Sequence, residues 1–551
     1  MKKSSAILII FFTATIARSL AQDKDFGQFA QQHDSMMVAA YKAKDITAYH
    51  KYLDDFLSRY NNLDARDRED YKEFRDGDYY NLSCAYSLLG DKSNALDYLE
   101  KSEYYDYEHL QQDHDMDNIR NEQRFIKFLD EAKRQEELAR GTAFKTPYKP
   151  NLSDEEKIAG LSQLWSQAKY NFVYFDHTNI DWNKSYLDYL PKILATKSTA
   201  EYYKVLETFY AQLKDGHTNV YPPKELRKEF YSRPPMLTEL VEGRVFVTDV
   251  FSDTLEKQGI LPGVEILEID HEPVIAYAEK NVKPYESSST PQDMEIREFS
   301  YALLCGPDKN PLALELKDAT GKVFTRTIPR GGYHDIKSNK KRTSLDYEEI
   351  GNIGYLAINN FEDENIDKQF DSLFAIIAKT KGLIIDIRNN GGGSGDIGFY
   401  IISKLTDKPF KISACKRLKY ISAPGGKARW EILSQDIEQP DGKLYYSKPV
   451  VLLTGPRTFS AAEDFAVAFD YMKRGKLIGE PTGGSTGQPV SFDLPGGGMA
   501  RVCGKRDTYP DGKEFVGIGI IPDIVITPTV KDIRSGKDAA KDKAVEILNG
   551  Q

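Results

Sequence analysis

Cysteine is scarce and dispersed in this chain. Only four occur in 551 residues, Cys84, Cys305, Cys415 and Cys503, and none stands in C-x-x-C spacing. They therefore build neither a disulfide scaffold nor a thiolate metal or redox centre, and isolated buried thiols are expected. Eight histidines include no H-E-x-x-H pair, which disfavours zinc hydrolysis; neither metal nor cofactor is expected. Positive charge is also in deficit. A formal net charge of −10 provides no broad basic field for a nucleic-acid backbone, so nucleic acid is excluded as a partner. Long apolar runs are missing too: beyond the N-terminus nothing approaches the ~20 residues needed to span a bilayer.

What is present begins with the N-terminus. Lys2 and Lys3 precede a mostly apolar run at 6–16, followed by Ser19, Leu20, Ala21 and polar Gln22-Asp23-Lys24. This order predicts a secretory signal peptide over 1–21, cleaved near Ala21, and a periplasmic or extracellular mature protein. No cysteine at that point could accept a lipid. With 40% hydrophobic and 29% charged residues the chain has the composition of an ordinary folded protein, and at about 150 residues per domain it should hold three or four units.

Residues 22–144 are charged and Tyr-rich, with apolar positions at helical spacing. Within them, Asn81 to Gly90 followed by Ala95 and Leu99 places small and large residues as a tetratricopeptide repeat does, and the helix around Phe125 to Leu129 should cover that face. The region is predicted to be a helical cap or spacer, or a surface for a partner protein. Two prolines at 147 and 150 mark a linker. A second helical part, 145–234, ends at Lys214-Asp215-Gly216-His217-Thr218, where Gly216 should break the helix and aim the histidine outward. From 235 to 330 short strands take over. The run from Gly259 to Asp270 resembles the helix end, turn and strand of a PDZ domain, a fold in which an extended peptide adds to a sheet edge. No glycine-rich carboxylate-binding loop stands near 235–241, however. Over 331–551 strands and helices alternate, with strands at 353–358, 383–387 and 450–453, closing strands at 517–521 and 524–526, and a C-terminal helix.

Chemistry concentrates in this last region. After the apolar strand 450–453 and a Gly455-Pro456 turn, Ser460 opens a helix, where the dipole and free backbone N–H groups favour a nucleophile and an oxyanion. An ordinary alternative is a capping box, Ser460 with Glu463 three residues on. A second buried strand runs into Asp386-Ile387-Arg388-Asn389-Asn390-Gly391-Gly392-Gly393, a glycine loop whose N–H groups no side chain obstructs. The G-x-G-x-x-G match at 393–398 is weak as a dinucleotide fingerprint. Polar residues separate the strand from the glycines, and no acidic residue closes a second strand.

Together the D-x-R-x-N-x-G-G loop, the Ser460 segment, Gly479-Glu480-Pro481-Thr482 and the Gly517 to Asp523 run resemble the tail-specific, or C-terminal-processing, peptidases, in the branch containing the tricorn core protease. The likeness extends over roughly 153–548 and implies a multidomain α+β protein: helical N-terminal region, PDZ-like β domain and crotonase-like α/β peptidase core. One branch of that family uses a lysine base in a G-K-G segment; here that segment is Gly484-Ser485-Thr486, which offers no amine. The tricorn-like branch implies instead His217 as base and Glu514 as its orienting acid. Gly216 stands where that branch carries a linking hydroxyl, and Thr218 offers a substitute. The resemblance implies an acyl-enzyme on Ser460, with the oxyanion held by the N–H groups of Ala461 and of Gly392 or its neighbour Gly393. Its substrates would be proteins or peptides. The rival expectation is a non-catalytic ligand- or partner-binding protein on the same fold.

Overall fold

The computed structural model describes residues 26–550, apart from positions scattered through 27–42 and 65–70 and the stretches 141–143, 338–342, 422–426, 434–436, 441 and 443. The expected export signal, with its cleavage point near Ala21, lies outside the described residues. No helix among them is long and apolar enough to cross a membrane. The chain divides into two compact units, 1–143 and 144–551.

The first unit is helical: Ile46–Tyr60, Lys72–Leu88, Lys92–Ser102, Tyr107–Gln112 and Gln123–Arg140. Asp45 and Asp91 start two of these helices by accepting the N–H of Ala48 and of Asn94, each satisfying one of the donors a helix leaves unpaired at its start. The helices Lys72–Leu88 and Lys92–Ser102 pack on each other, and Tyr80, Cys84, Ala95, Leu99, Phe125 and Phe128 close one buried cluster.

The second unit opens with the helices Asp154–Asn171, Trp182–Ala195 and Thr199–Ala211. Ser153 and Glu156 form a reciprocal capping box at the first of them, and the aromatic side chains of Trp182, Tyr202, Tyr203, Phe209 and Tyr210 are buried. A mainly antiparallel sheet follows in the order Met236–Val241, Arg244–Val250, Glu265–Ile269, Leu312–Lys317, Val323–Ile328, with the helices Asp253–Lys257 and Val274–Asn281 and a core of its own.

The central sheet fixes the site. Its order is Ile524–Val525, Gly475–Gly479, Val450–Thr454, Gly382–Asp386, Ile353–Ile358, Leu345–Ile350. All neighbours are parallel except the last two, which form a hairpin. Gly382–Asp386 and Val450–Thr454 are buried at every position, as strands covered on both faces must be. On one face the C-terminal helix Ala539–Gly550 seals Ile384, Val451 and Ile478 with Ala540, Ala544 and Leu548. On the other lie the helices Gly395–Ser403 and Ala461–Tyr471.

One expected strand does not form. Residues 517–521 are a turn, because Gly517 and Gly519 take φ of +81° and +90°, left-handed values that a strand cannot accommodate. Only Ile524–Val525 joins the sheet. The turn instead bonds to the preceding loop: Gly517 N–H donates to Gly484 O, Ile520 N–H to Thr482 Oγ1, and Thr482 N–H to Ile520 O. No disulfide joins the four cysteines, of which Cys84 and Cys503 are buried and the other two half-buried.

Candidate active site

Because Gly382–Asp386, Val450–Thr454 and Gly475–Gly479 are adjacent and parallel, the loops that follow them leave the same end of the sheet. Three segments far apart in sequence, 388–393, 455–460 and 480–488, are thereby brought side by side. They are stitched together by Thr458 Oγ1 donating to Ile387 O (2.9 Å), Phe459 N–H to Asn390 O (3.0 Å) and Ser460 N–H to Ser485 O (3.1 Å). Gly392 lies against the nucleophile segment so closely that a Cβ there would sit 2.6 Å from Ser460 Cβ.

Ser460 does not cap its helix. Its φ and ψ are +56° and −130°, and its hydroxyl makes no capping bond. The carboxylate of Glu463 turns away as well, accepting the N–H groups of Gly484 and Ser485 at 2.8 Å each and the Thr482 hydroxyl. The capping box is therefore not formed. A non-glycine residue held at positive φ carries strain of order 1–3 kcal/mol, which persists only where the surroundings over-determine it. Here that conformation frees the hydroxyl for another partner.

That partner is His217. Its Nε2 lies 3.0 Å from Ser460 Oγ and its Nδ1 lies 2.9 Å from Ser485 Oγ, while its ring stacks on Phe459 with centroids 4.7 Å apart. The expectation that Gly216 ends the helix and turns the histidine outward is corrected here. The helix stops at Ala211, the chain reverses at Lys214 with φ of +52°, and His217 points inward with 3% exposure. Gly216 has a different reason to be glycine. A Cβ there would lie 2.8 Å from the Phe459 ring and 2.9 Å from Ser485 Oγ, so no hydroxyl-bearing side chain fits between histidine loop and Ser485.

The loop carrying His217 is fixed by buried polar contacts. Asp215 accepts His217 N–H and the Thr218 hydroxyl, and Ser287 Oγ, Ser289 Oγ and Arg297 bond the backbone of 215–216. Pairing of Asn219–Tyr221 with Gly498–Cys503 sets the height of the loop. Burial, reinforced by the cationic Arg501, Arg297 and Lys505 nearby, holds the His217 pKa well below the usual imidazole range, so the ring is neutral and its unprotonated nitrogen can accept a proton. Burial pushes Glu463 up to about 8, against the pull of its three hydrogen bonds.

The remaining predicted residues fall as follows. Ala461 N–H, at the first turn of the helix, has no acceptor among the described residues, and neither has Gly393 N–H. The Gly392 N–H is already committed to Asn390 Oδ1 at 2.9 Å. Thr218 does not touch the imidazole; its hydroxyl joins Asp215 to Cys503 N–H. Nor does Glu514 reach His217. Its Oε1 accepts from Arg506 at 3.1 and 3.3 Å, and Arg506 also bonds Asp176 and His177. Sequence reasoning missed Ser485 as a contact of the histidine and Glu463 as the anchor of its loop. The i, i+3 spacing of Ser460 and Glu463 was the signal for the second, read as a local rather than a tertiary contact.

A hydroxyl released from capping and facing a neutral, buried imidazole is an arrangement able to support nucleophilic chemistry. The comparisons narrow the class. Residues 352–526 match Peptidase family S41 and residues 154–211 match the Tricorn protease C1 domain. A carboxy-terminal-processing protease of Bartonella bacilliformis is 26% identical over 250 residues, covering 43% of this chain and 54% of the relative. A carboxyl-terminal-processing protease of Synechocystis is 24% identical over 421 residues, covering 74% and 89%. The chain spans about half the length of the first curated relatives it matches. Mature CPAF, solved in complex with lactacystin, shares the fold with a TM-score of 0.57 at 16% identity, over 72% of this chain and 98% of that one.

Proposed function

We propose that this protein is an exported serine endopeptidase that hydrolyses peptide bonds in proteins or peptides through an acyl-enzyme on Ser460. The observation that carries the reading is the 3.0 Å approach of His217 Nε2 to an uncapped Ser460 Oγ. Ser460 attacks the carbonyl carbon, its proton passes to Nε2, and the imidazolium returns that proton to the leaving amine. Water, deprotonated by the same nitrogen, then releases the acyl group. Ala461 N–H and Gly393 N–H are the oxyanion donors, and each is worth ~10²–10³ in rate. The antiparallel sheet over 236–328, read as PDZ-like, offers an edge to an extended substrate, and the helical first unit serves as a cap or a partner surface.

The test is labelling by a fluorophosphonate together with cleavage of an unfolded peptide. The wild-type protein should label at Ser460, and Ser460→Ala should lose ~10⁶-fold in kcat, by analogy with other triads. A wild-type protein that neither labels nor cleaves would instead be a binding protein on this fold.

A further inference from the structure

We propose that Ser485 orients the catalytic base, and that Glu463 holds Ser485 in place to do so. This rests on reading Ser460 and His217 as nucleophile and base. A neutral imidazole carries one N–H, and it can take the Ser460 proton at Nε2 only if that N–H is on Nδ1. Ser485 Oγ, 2.9 Å from Nδ1, has the lone pairs to accept that N–H, and in the proposed arrangement it does so. Among the described residues no carboxylate lies within hydrogen-bonding distance of the ring.

Ser485 engages both partners of the proton transfer. Its carbonyl accepts Ser460 N–H at 3.1 Å while its hydroxyl faces the imidazole, and the residue is fully buried. Its own N–H donates to Glu463 Oε2 at 2.8 Å, and Glu463 Oε1 takes the neighbouring Gly484 N–H at the same distance. Glu463 stands one turn along the helix that Ser460 opens, so one buried carboxylate ties the nucleophile helix to the orienting loop. Thr290 and Gln292 brace the loop from outside through Gly483 O and Thr482 O.

The chemistry follows from position. The segment that supplies a lysine base in one branch of the resembling family supplies here a hydroxyl on the far side of a histidine base. Gly216 is part of the same arrangement, since a side chain there would collide with that hydroxyl. No bond is made or broken at Ser485, which accepts Nδ1–H throughout while the transferred proton resides on Nε2. Being neutral, it selects the tautomer without compensating the imidazolium charge. Its removal should therefore cost less than the ~10⁴ lost when a triad acid is replaced. One hydrogen bond and up to an ångström of ring displacement correspond to a loss of about 10- to 100-fold.

The test compares Ser485→Ala, Glu463→Gln and Glu514→Gln with wild type in three readouts: kcat and KM on a quenched peptide, the rate of fluorophosphonate labelling at Ser460, and the ¹⁵N shifts of the His217 ring. Ser485→Ala and Glu463→Gln should lower kcat and labelling 10- to 100-fold with KM within about twofold, and Ser485→Ala should shift the ring away from the Nδ1–H tautomer. Glu514→Gln should leave all three as they are. The proposal is overturned if Ser485→Ala labels at the wild-type rate and keeps the Nδ1–H tautomer. It is equally overturned if wild-type His217 carries its proton on Nε2, a measurement that stands even where a variant does not fold. Wild-type protein that fails to label while showing the Nδ1–H tautomer would sink the peptidase reading and leave the Ser485 contact intact.

Discussion

Gly216→Ala is the sharpest probe of how closely this site is packed. The φ of Gly216 is outside the left-handed region, so the backbone itself tolerates alanine; only space is at issue. The added Cβ would meet the Phe459 ring at 2.8 Å and Ser485 Oγ at 2.9 Å, where relaxed contacts with carbon need about 3.5–4.0 Å. Both contacts must open, by about 0.6–1 Å each. Neither can do so without consequence, because Phe459 stacks on His217 and Ser485 Oγ is 2.9 Å from its Nδ1. A displacement of that size at a proton-transfer centre costs of order 10² in rate, and overpacking a filled site costs about 1–3 kcal/mol of stability. Steady-state kinetics on a quenched peptide should show kcat down about 100-fold, and urea unfolding should show a midpoint lowered with unchanged slope. A folded Gly216→Ala protein with kcat/KM within twofold of wild type would refute the argument that crowding between Phe459 and Ser485 sets the imidazole.

Three further outcomes follow from the buried titratable groups. Because His217 is held below its usual pKa by burial, the neutral base persists as pH falls through 6.5, and the acid limb of kcat/KM should lie below that value; an inflection at or above 6.5 would contradict it. The same shift makes the unfolded chain bind more protons than the folded one in the window below 6.5, so His217 contributes stability above that window that is lost as pH falls through it, a trend readable in urea midpoints. Arg388 bonds Asp386 and Asp538 with its guanidinium, and Asp386 is only 5% exposed. Replacing Arg388 by Met should destabilise the second unit by about 3 kcal/mol, since it leaves a buried carboxylate without its cation; a urea midpoint equal to wild type would exclude that role.

How much of this was legible in the sequence follows from the range of the interactions concerned. The apolar runs at 353–358, 383–387 and 450–453 carry their own signal, because a strand buried on both faces needs no partner to declare itself. The glycine loop and the helix-opening serine are also local patterns, and parallel pairing of their strands then leaves both loops at one end of the sheet. What was illegible is tertiary. Glu463 satisfies the capping-box rule by spacing, yet its carboxylate reaches donors some twenty residues away in a buried loop, and two backbone N–H groups with a hydroxyl outweigh one local cap. The alternation of glycine and isoleucine at 517–521 has the period of a strand, but two left-handed glycines turn it against Thr482 and Gly484 instead. Ser485 carries no periodicity or spacing at all. Its significance exists only where 268 residues of chain return to put a hydroxyl beside an imidazole, which is why the same position, read in sequence, showed only that an amine was missing. The glycine at 216 and the serine at 485 are then two halves of one steric fact: the space vacated by the first is occupied by the hydroxyl of the second.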